Sequence, residues 1–368
     1  MIATSSRTLW IGTYPGDRAP GSGEGVWRVD VDPASGALGT PVLAAEVASP
    51  SFLALHPRAP ALYAVTETPA GRVTALRVHP DGTLAPLGEA PSGGDDPCHL
   101  AATTRTVWVA NYGDGTAAAL GVSEGDGEPA TDRRALHTGS GTGPVPDRQA
   151  GPHAHQVTAV GDQVLVTDLG ADLVRRYPVD ARPGTAADPE AAGAAAADGA
   201  ADDQAVAARL PAGTGPRHLV VLPSGALVVV GELDARLHVL VPADGRWEHS
   251  GSVPILPGAV AGADFGGHVT LSADGTRLHV GVRGADVLAV HAVSDGAVPR
   301  VEHLADVPLG EGARPRHHEV VGDEELVVVA LEGTAELACV RVEAATGRGE
   351  VVARASWDTP PACVLVAR

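Results

Sequence analysis

The sequence contains no lysine. Apart from histidine, all 26 basic residues are arginines, so Schiff-base chemistry is excluded and arginine is the only permanent side-chain cation. Cysteine is scarce: Cys98, Cys339 and Cys363 are odd in number and far apart. They make neither a metal-type spacing nor a disulfide framework, and are expected to be free thiols of a reducing cytoplasm. No apolar run approaches the length of a membrane span. The opening "MIATSSRTLWIGTY" has neither the basic nor the apolar region of a signal peptide, so a cytoplasmic location is expected. The formal net charge of -19 disfavours nucleic acid and anionic membranes as partners. "GTGP" and "GSGTGP" lack the Gly-Lys-Ser/Thr of a P-loop, and no G-x-S-x-G elbow supplies a serine nucleophile.

Glycine (46) and proline (30) are abundant but scattered, which points to many turns, and 44% apolar residues over 368 positions can bury a large core. The turns recur. "SPSFLALHPRAPALYAVTE", "DPCHLAATTRTVWVANYG", "GPHAHQVTAVGDQVLVTDLG", "GPRHLVVLPSGALVVVGEL", "FGGHVTLSADGTRLHVGVRG", "RPRHHEVVGDEELVVVALEG" and a terminal "TPPACVLVAR" are seven copies of one pattern. Their second positions are Pro50, Pro97, Pro152, Pro216, Gly266, Pro315 and Pro360, spaced 45 to 64 apart. Each copy reads as two short β-type runs around a turn, followed by a further alternating run such as "RVTALRV" or "ELACVRV". Four strands per repeat at this period predict an all-β, seven-bladed β-propeller. The last copy has only its first strand. Its missing partners lie in "TLWIGTY", "GVWRVDVD" and "GALGTPVLAAEV", so the last blade is expected to close with N-terminal and C-terminal strands together. The expected organisation is a single domain over 1–368. It is interrupted by an Ala-rich surface insertion, 181–210, where Pro183, Pro189, Gly193 and Gly199 break any helix.

Polar residues fall at the strand ends that share a rim. The first-strand starts carry Cys98 and His99, His153 and His155, Arg217 and His218, His268, and Arg316 with His317 and His318. The second-strand ends carry Tyr14, Glu67, Asn111, Asp168, Glu232, Arg283 and Glu332. A pocket at the mouth of the propeller is the natural expectation, although polar residues also collect at strand ends simply to cap backbone. From this ring His99, Asn111, Asp168, His218, His268, Arg316 and His317 are expected to bind substrate. His153 and His155, at i and i+2 on a strand, face one way and could share an ion, but no HExxH or Cys-His signature accompanies them. No metal and no cofactor is expected. His56, His79, His137, His238, His249, His279, His291 and His303 read as structural.

As an ordered set these motifs, opening with "IGTY" and "GVWRVDVDPASGAL", resemble the lactonase family of seven-bladed propellers. That family includes bacterial 6-phosphogluconolactonases and is related to fungal carboxy-muconate lactonizing enzymes. The resemblance covers nearly the whole chain. It implies catalytic roles for His153 or His155, Arg217, Glu232 and Arg283. It also exposes departures: a histidine, His268, stands where the family usually has an acid, and Gly231, Val282 and Leu331 stand where it usually has asparagine. The implied activity is hydrolysis of a small lactone, a sugar phosphate, by a monomer or weak homodimer of the pentose phosphate pathway. Glu232 or a histidine of "GPHAH" would activate water, and Arg217 and Arg283 would hold an oxyanion or a phosphate. A muconate-type cycloisomerase and a non-catalytic propeller that binds a small anion or a protein are the alternatives.

Overall fold

The computed structural model describes residues 6–15, 24–180, 205–322 and 326–368. Among them are seven four-stranded sheets and one four-residue helix, Pro146–Gln149. The fold is all-β, a seven-bladed β-propeller with one sheet per repeat. The chain forms two compact units. One comprises Met1–Leu53, His218–Val241 and Ser250–Arg368; the other comprises Ala54–Arg217 and Pro242–His249.

In the first unit the closing sheet has the order Pro361–Val366, Arg7–Thr13, Val26–Val31, Val42–Ala45. The C-terminal strand pairs antiparallel with the N-terminal one, with Leu9 opposite Val366, Trp10 opposite Leu365 and Ile11 opposite Val364. Tyr14 N donates to Pro360 O at 3.0 Å and Ala367 N to Thr8 O at 2.8 Å, so the pairing runs past both strand ends. The expected closure through both termini is present.

The unbroken apolar runs of the second strands follow from two-sided packing. In "LVVVAL", Leu326–Leu331, every residue is buried. Val327, Val329 and Leu331 enter one apolar cluster with Leu288, Val290 and Val307. Leu326, Val328 and Ala330 enter another with Leu9, Ile11 and Val29. Side chains alternate along a strand, so a run apolar on both faces is what a sheet packed on both faces requires. Each such valine or leucine contributes about 1.5–3 kcal/mol. The same strand pattern recurs in the second unit, where Trp108, Ala110, Val157, Val164, Val166 and Tyr177 form one cluster.

Residues 181–204 of the expected insertion lie outside the described residues. Its end does not behave as a surface excursion. Val206–Arg209 is the outer strand of its sheet, with Leu173 opposite Arg209 and Val174 opposite Ala208. Val206, Ala207 and Ala208 are buried. Alanine composition obscured this strand, because small side chains give little β signal, yet they suit a close outer pairing.

Removing the last eight residues deletes the strand that pairs with Arg7–Thr13, together with buried Cys363 and Val364. We expect loss of cooperative thermal unfolding; a truncated protein that melts like the intact chain overturns the closure. Glu319, in the strand Pro315–Val321, has its carboxyl pushed up to about 7 by burial. An acid whose pKa is raised on folding holds its proton better in the native state, so its contribution to stability falls as pH rises from the unfolded value toward 7. Glu319→Gln should therefore raise the melting temperature at pH 8 and leave it unchanged at pH 4. Equal shifts at both values overturn this.

Candidate active site

The first strand of a repeat does not enter its sheet smoothly. A bulge separates Pro97 from His99, Ala154 from Gln156 and Pro315 from His317. The skipped residues are Cys98, His155 and Arg316. A bulge leaves one residue outside the ladder and re-aims its side chain. Consecutive polar residues can then both be displayed at a strand start, where strict alternation would turn one of them into the sheet packing. The expected i, i+2 alignment of His153 and His155 is lost for this reason: His155 is the bulged residue, and the two rings meet Tyr112 differently.

In the first unit, Glu232 follows the strand Leu227–Gly231 and Arg283 ends the strand Arg277–Arg283. Arg283 Nη2 lies 2.8 Å from Glu232 Oε2, with the carboxylate 3% and the guanidinium 13% exposed. Arg283 Nη2 also donates to Gly266 O at 3.3 Å, while its buried Nε has no hydrogen-bond partner among the described residues. Gly266 is the one repeat start without proline at this position, and packing explains it. A Cβ there would stand 2.2 Å from Val230 Cγ1, so only glycine lets the strand lie against Val230.

The same unit holds a group of imidazoles. His218 Nδ1 and His268 Nδ1 are 2.6 Å apart, so a proton sits between them. His268 stacks on His317 with centroids 3.9 Å apart and meets His318 edge-on at 5.0 Å. Phe52 closes on His317 at 5.2 Å and on His218 at 6.5 Å. Val364 N donates to His317 Nδ1 at 3.3 Å, which fixes that ring nitrogen as an acceptor. His318 turns into the wall, its Nε2 3.0 Å from His279 O, and burial with the neighbouring His317 and His279 holds its pKa well below the usual histidine range. Arg316 pairs with Glu332 at 3.0 Å and lies 4.9 Å over the Tyr14 ring.

In the second unit, Arg217 is buried, and Thr167 Oγ1 donates to its carbonyl at 2.7 Å. Buried His99 has its pKa pushed down to about 3, by burial first and by the Arg217 charge second. His99 is therefore a neutral neighbour of that cation, and its Nδ1 accepts from Val157 N at 3.4 Å. His153 is half-buried. It stacks on Tyr112 at 4.6 Å and makes a 2.7 Å contact from Nδ1 to Tyr112 O. A carbonyl accepts only, so Nδ1 carries the proton and Nε2 the lone pair, the tautomer a general base needs. His155 is buried and meets Tyr112 edge-on at 5.6 Å. Tyr112 was missed because it lies one residue beyond the strand Thr106–Asn111; the aromatic in "VANYG" was its only signal.

Two expected substrate contacts sit in braces. Asp168, 1% exposed, pairs with buried Arg175 at 2.9 Å and accepts from His153 N at 2.9 Å and Ala171 N at 3.2 Å. Asn111 is fully buried and donates from Nδ2 to Thr116 Oγ1 at 3.0 Å. Asp168 thus holds the backbone of His153, and Asn111 holds a loop. Among the described residues no three His, Cys, Asp or Glu side chains converge to hold a metal ion. The three cysteines are free and buried.

These strand-end groups sit in a chain with close relatives in fold. A 6-phosphogluconolactonase of Bacillus subtilis is 27% identical over 97% of this chain and 98% of its own length. The solved structure of a periplasmic gluconolactonase of Pseudomonas aeruginosa is 25% identical, covers 99% of both chains and superposes with a TM-score of 0.83. A structure from Lactobacillus plantarum, 24% identical over 99% of this chain and all of that one, gives 0.80 and shows the fold alone. The description of the lactonase family, seven-bladed β-propellers, matches residues 8–366, and the chain belongs to that family.

Proposed function

We propose that the protein hydrolyses a δ-lactone, with 6-phosphogluconolactone as substrate and 6-phosphogluconate as product. The buried Glu232–Arg283 pair carries this reading, supported by the 6-phosphogluconolactonase relative. Water attacks the acyl carbon while a carboxylate takes its proton. The oxyanion collapses, the acyl–oxygen bond of the ring breaks, and the ring oxygen leaves as a hydroxyl with a proton returned to it. Glu232 is the base in this scheme. Arg283 orients Glu232 through Nη2 and offers Nε, a donor already stripped of water, to the oxyanion. Arg217 is the cation for the substrate anion, a role suited to the guanidinium fork.

His153 is a second candidate for the base, favoured by its tautomer. His155, buried at the bulge, has a supporting role beside Tyr112. His99, His218, His268 and His317 contribute ring surface and hydrogen bonds to the sugar hydroxyls. The free thiols suit a reducing compartment, so we place the enzyme in the cytoplasm; recovery in a periplasmic or secreted fraction opposes that placement.

Assays on freshly made 6-phosphogluconolactone and on unphosphorylated gluconolactone, corrected for spontaneous hydrolysis, test the reading. We expect kcat/KM to favour the phosphorylated lactone. Glu232→Gln should lower kcat by about 10²–10⁴, whereas Arg217→Ala should raise KM by about tenfold or more for the phosphorylated lactone only. A Glu232→Gln protein with full turnover that His153→Asn abolishes moves the base to His153. Turnover of a muconate in place of both lactones, or of no substrate at all, overturns the proposal.

A further inference from the structure

Among the described residues, six second strands are followed by a turn residue in the left-handed region: Ala70, Gly115, Asp172, Ala235, Asp286 and Ala335, with φ between 54° and 68°. Alanine at such a φ is strained, and aspartate tolerates it better. Aspartate stands at two of these positions, Asp172 and Asp286. The repeats that follow these two turns open on Pro-Arg-His, namely Pro216-Arg217-His218 and Pro315-Arg316-His317. The remaining repeats open without an arginine after the proline position.

The two aspartates do the same thing. Asp172 Oδ2 accepts from Gly213 N at 2.7 Å and Oδ1 from Gly215 N at 2.8 Å. Asp286 Oδ2 accepts from Gly312 N at 2.6 Å and Oδ1 from Arg314 N at 2.7 Å. In both places the donors lie three residues and one residue before the proline. Backbone bonds repeat as well: Leu210 N donates to Asp172 O at 3.0 Å, and Leu309 N to Asp286 O at 2.9 Å. One carboxylate thus ties the turn of one repeat to the approach of the next, with an oxygen for each end of a three-residue arc. Gly213, Gly215, Gly312 and Arg314 all have positive φ, a conformation these bonds hold in place. Asp172 is further fixed by Gln149 Nε2 at 2.8 Å.

We propose that Asp172 is a positioning residue that aims Arg217 at the anionic part of the substrate, and that Asp286 fixes the approach to Arg316 in the same way within its own unit. This rests on the reading of Arg217 as an anion-binding group. Asp172 acts from one side of the arginine, through Gly215 N. From the other side the Thr167 hydroxyl holds the Arg217 carbonyl. The Arg217 backbone is therefore set on both sides of its Cα, and its side chain starts from a fixed point. A misplacement of about 1 Å at such a group costs up to about 10²-fold in rate or binding.

A mutant cycle on the full chain tests this with the phosphorylated lactone. Asp172→Asn keeps the shape but replaces one accepting oxygen with an NH2 group that faces a backbone N–H. It should raise KM about tenfold, leave kcat within about twofold, and leave KM for the unphosphorylated lactone unchanged. Added to Arg217→Ala it should have no more than about a twofold further effect, since the two changes remove one interaction. Asp172→Gly, in which glycine accepts the positive φ, should reproduce the phenotype if the asparagine variant folds poorly. An unchanged KM in Asp172→Asn, where Arg217→Ala alone has raised it, overturns the positioning role and spares the anion site. Effects of the two changes that multiply also overturn it, as does failure of both Asp172 variants to fold, which assigns Asp172 to stability alone. If Arg217→Ala itself leaves KM unchanged, the anion-binding reading falls and the positioning role falls with it.

Discussion

Two-sided burial of the second strand of each repeat is the constraint on which the other features depend. Ala61–Thr66, Thr106–Asn111, Leu227–Gly231 and Leu326–Leu331 are buried at every residue. A strand packed on both faces has no surface on which to carry a solvated polar group, so polar chemistry is driven to its ends. Glu232 and Glu332 stand one residue past such strands, and Arg283 is the last residue of one. His279 is the exception that shows the cost. It sits mid-strand, fully buried, with neither ring nitrogen hydrogen-bonded among the described residues, and burial pushes its pKa down to about 4. It remains neutral and acts as an apolar ring, which is the only form such a strand tolerates.

The same constraint decides what was legible in the sequence. Apolar runs ending in a polar residue after a Gly or Pro turn identify the repeat, and their number and spacing identify the propeller. Closure was readable because "ACVLVAR" lacked a partner and "TLWIGTY" supplied one. The bulges were not readable. A bulge changes no residue type; it shifts register by one, and only the cross-strand pairing of Ala154 with Asp168 and Gln156 with Thr167 exposes it. Strict alternation placed His153 and His155 together, whereas the bulge separates their surroundings: His153 is half-buried and stacks on Tyr112, and His155 is buried and meets Tyr112 edge-on. Asp168 and Asn111 were legible as strand-end polar groups but not as braces, because their partners lie on the next strand: Thr116 faces Asn111 across the ladder, and Arg175 stands opposite Val166, two residues from Asp168. The strand Val206–Arg209 was hidden by its alanines.

His268 shows how a departure from the family pattern is absorbed. The resemblance leads to an acid at this place, and an acid would accept a proton from the facing imidazole. Histidine meets the same demand differently: the 2.6 Å contact between His218 Nδ1 and His268 Nδ1 needs one nitrogen with a proton and one without. Both rings satisfy it without adding a negative charge. His268 then stacks on His317, and the two rings form a flat, weakly polar surface.

The absence of lysine and the excess of acid meet in the arginines. A net charge of -19 repels an anionic lactone at long range, and at physiological salt this field is damped over about 8 Å. On the proposed function, attraction must therefore come from cations held close to the ligand. A freely moving side chain would spend its charge on the many surface carboxylates instead. Arg283 is held by Glu232, Arg316 by Glu332 and the Tyr14 ring, and the Arg217 backbone by Thr167 and by Asp172 acting through Gly215. Guanidinium suits this better than ammonium, since it can keep one edge on its anchor and present another to a substrate oxygen. Anchoring also limits desolvation, because Arg283 and Arg316 are already paired and need no new counter-charge when the substrate departs. An acidic protein can in this way hold cationic binding groups at strand ends, provided the backbone beneath each one is fixed, and the aspartates of the preceding turns supply that fixing.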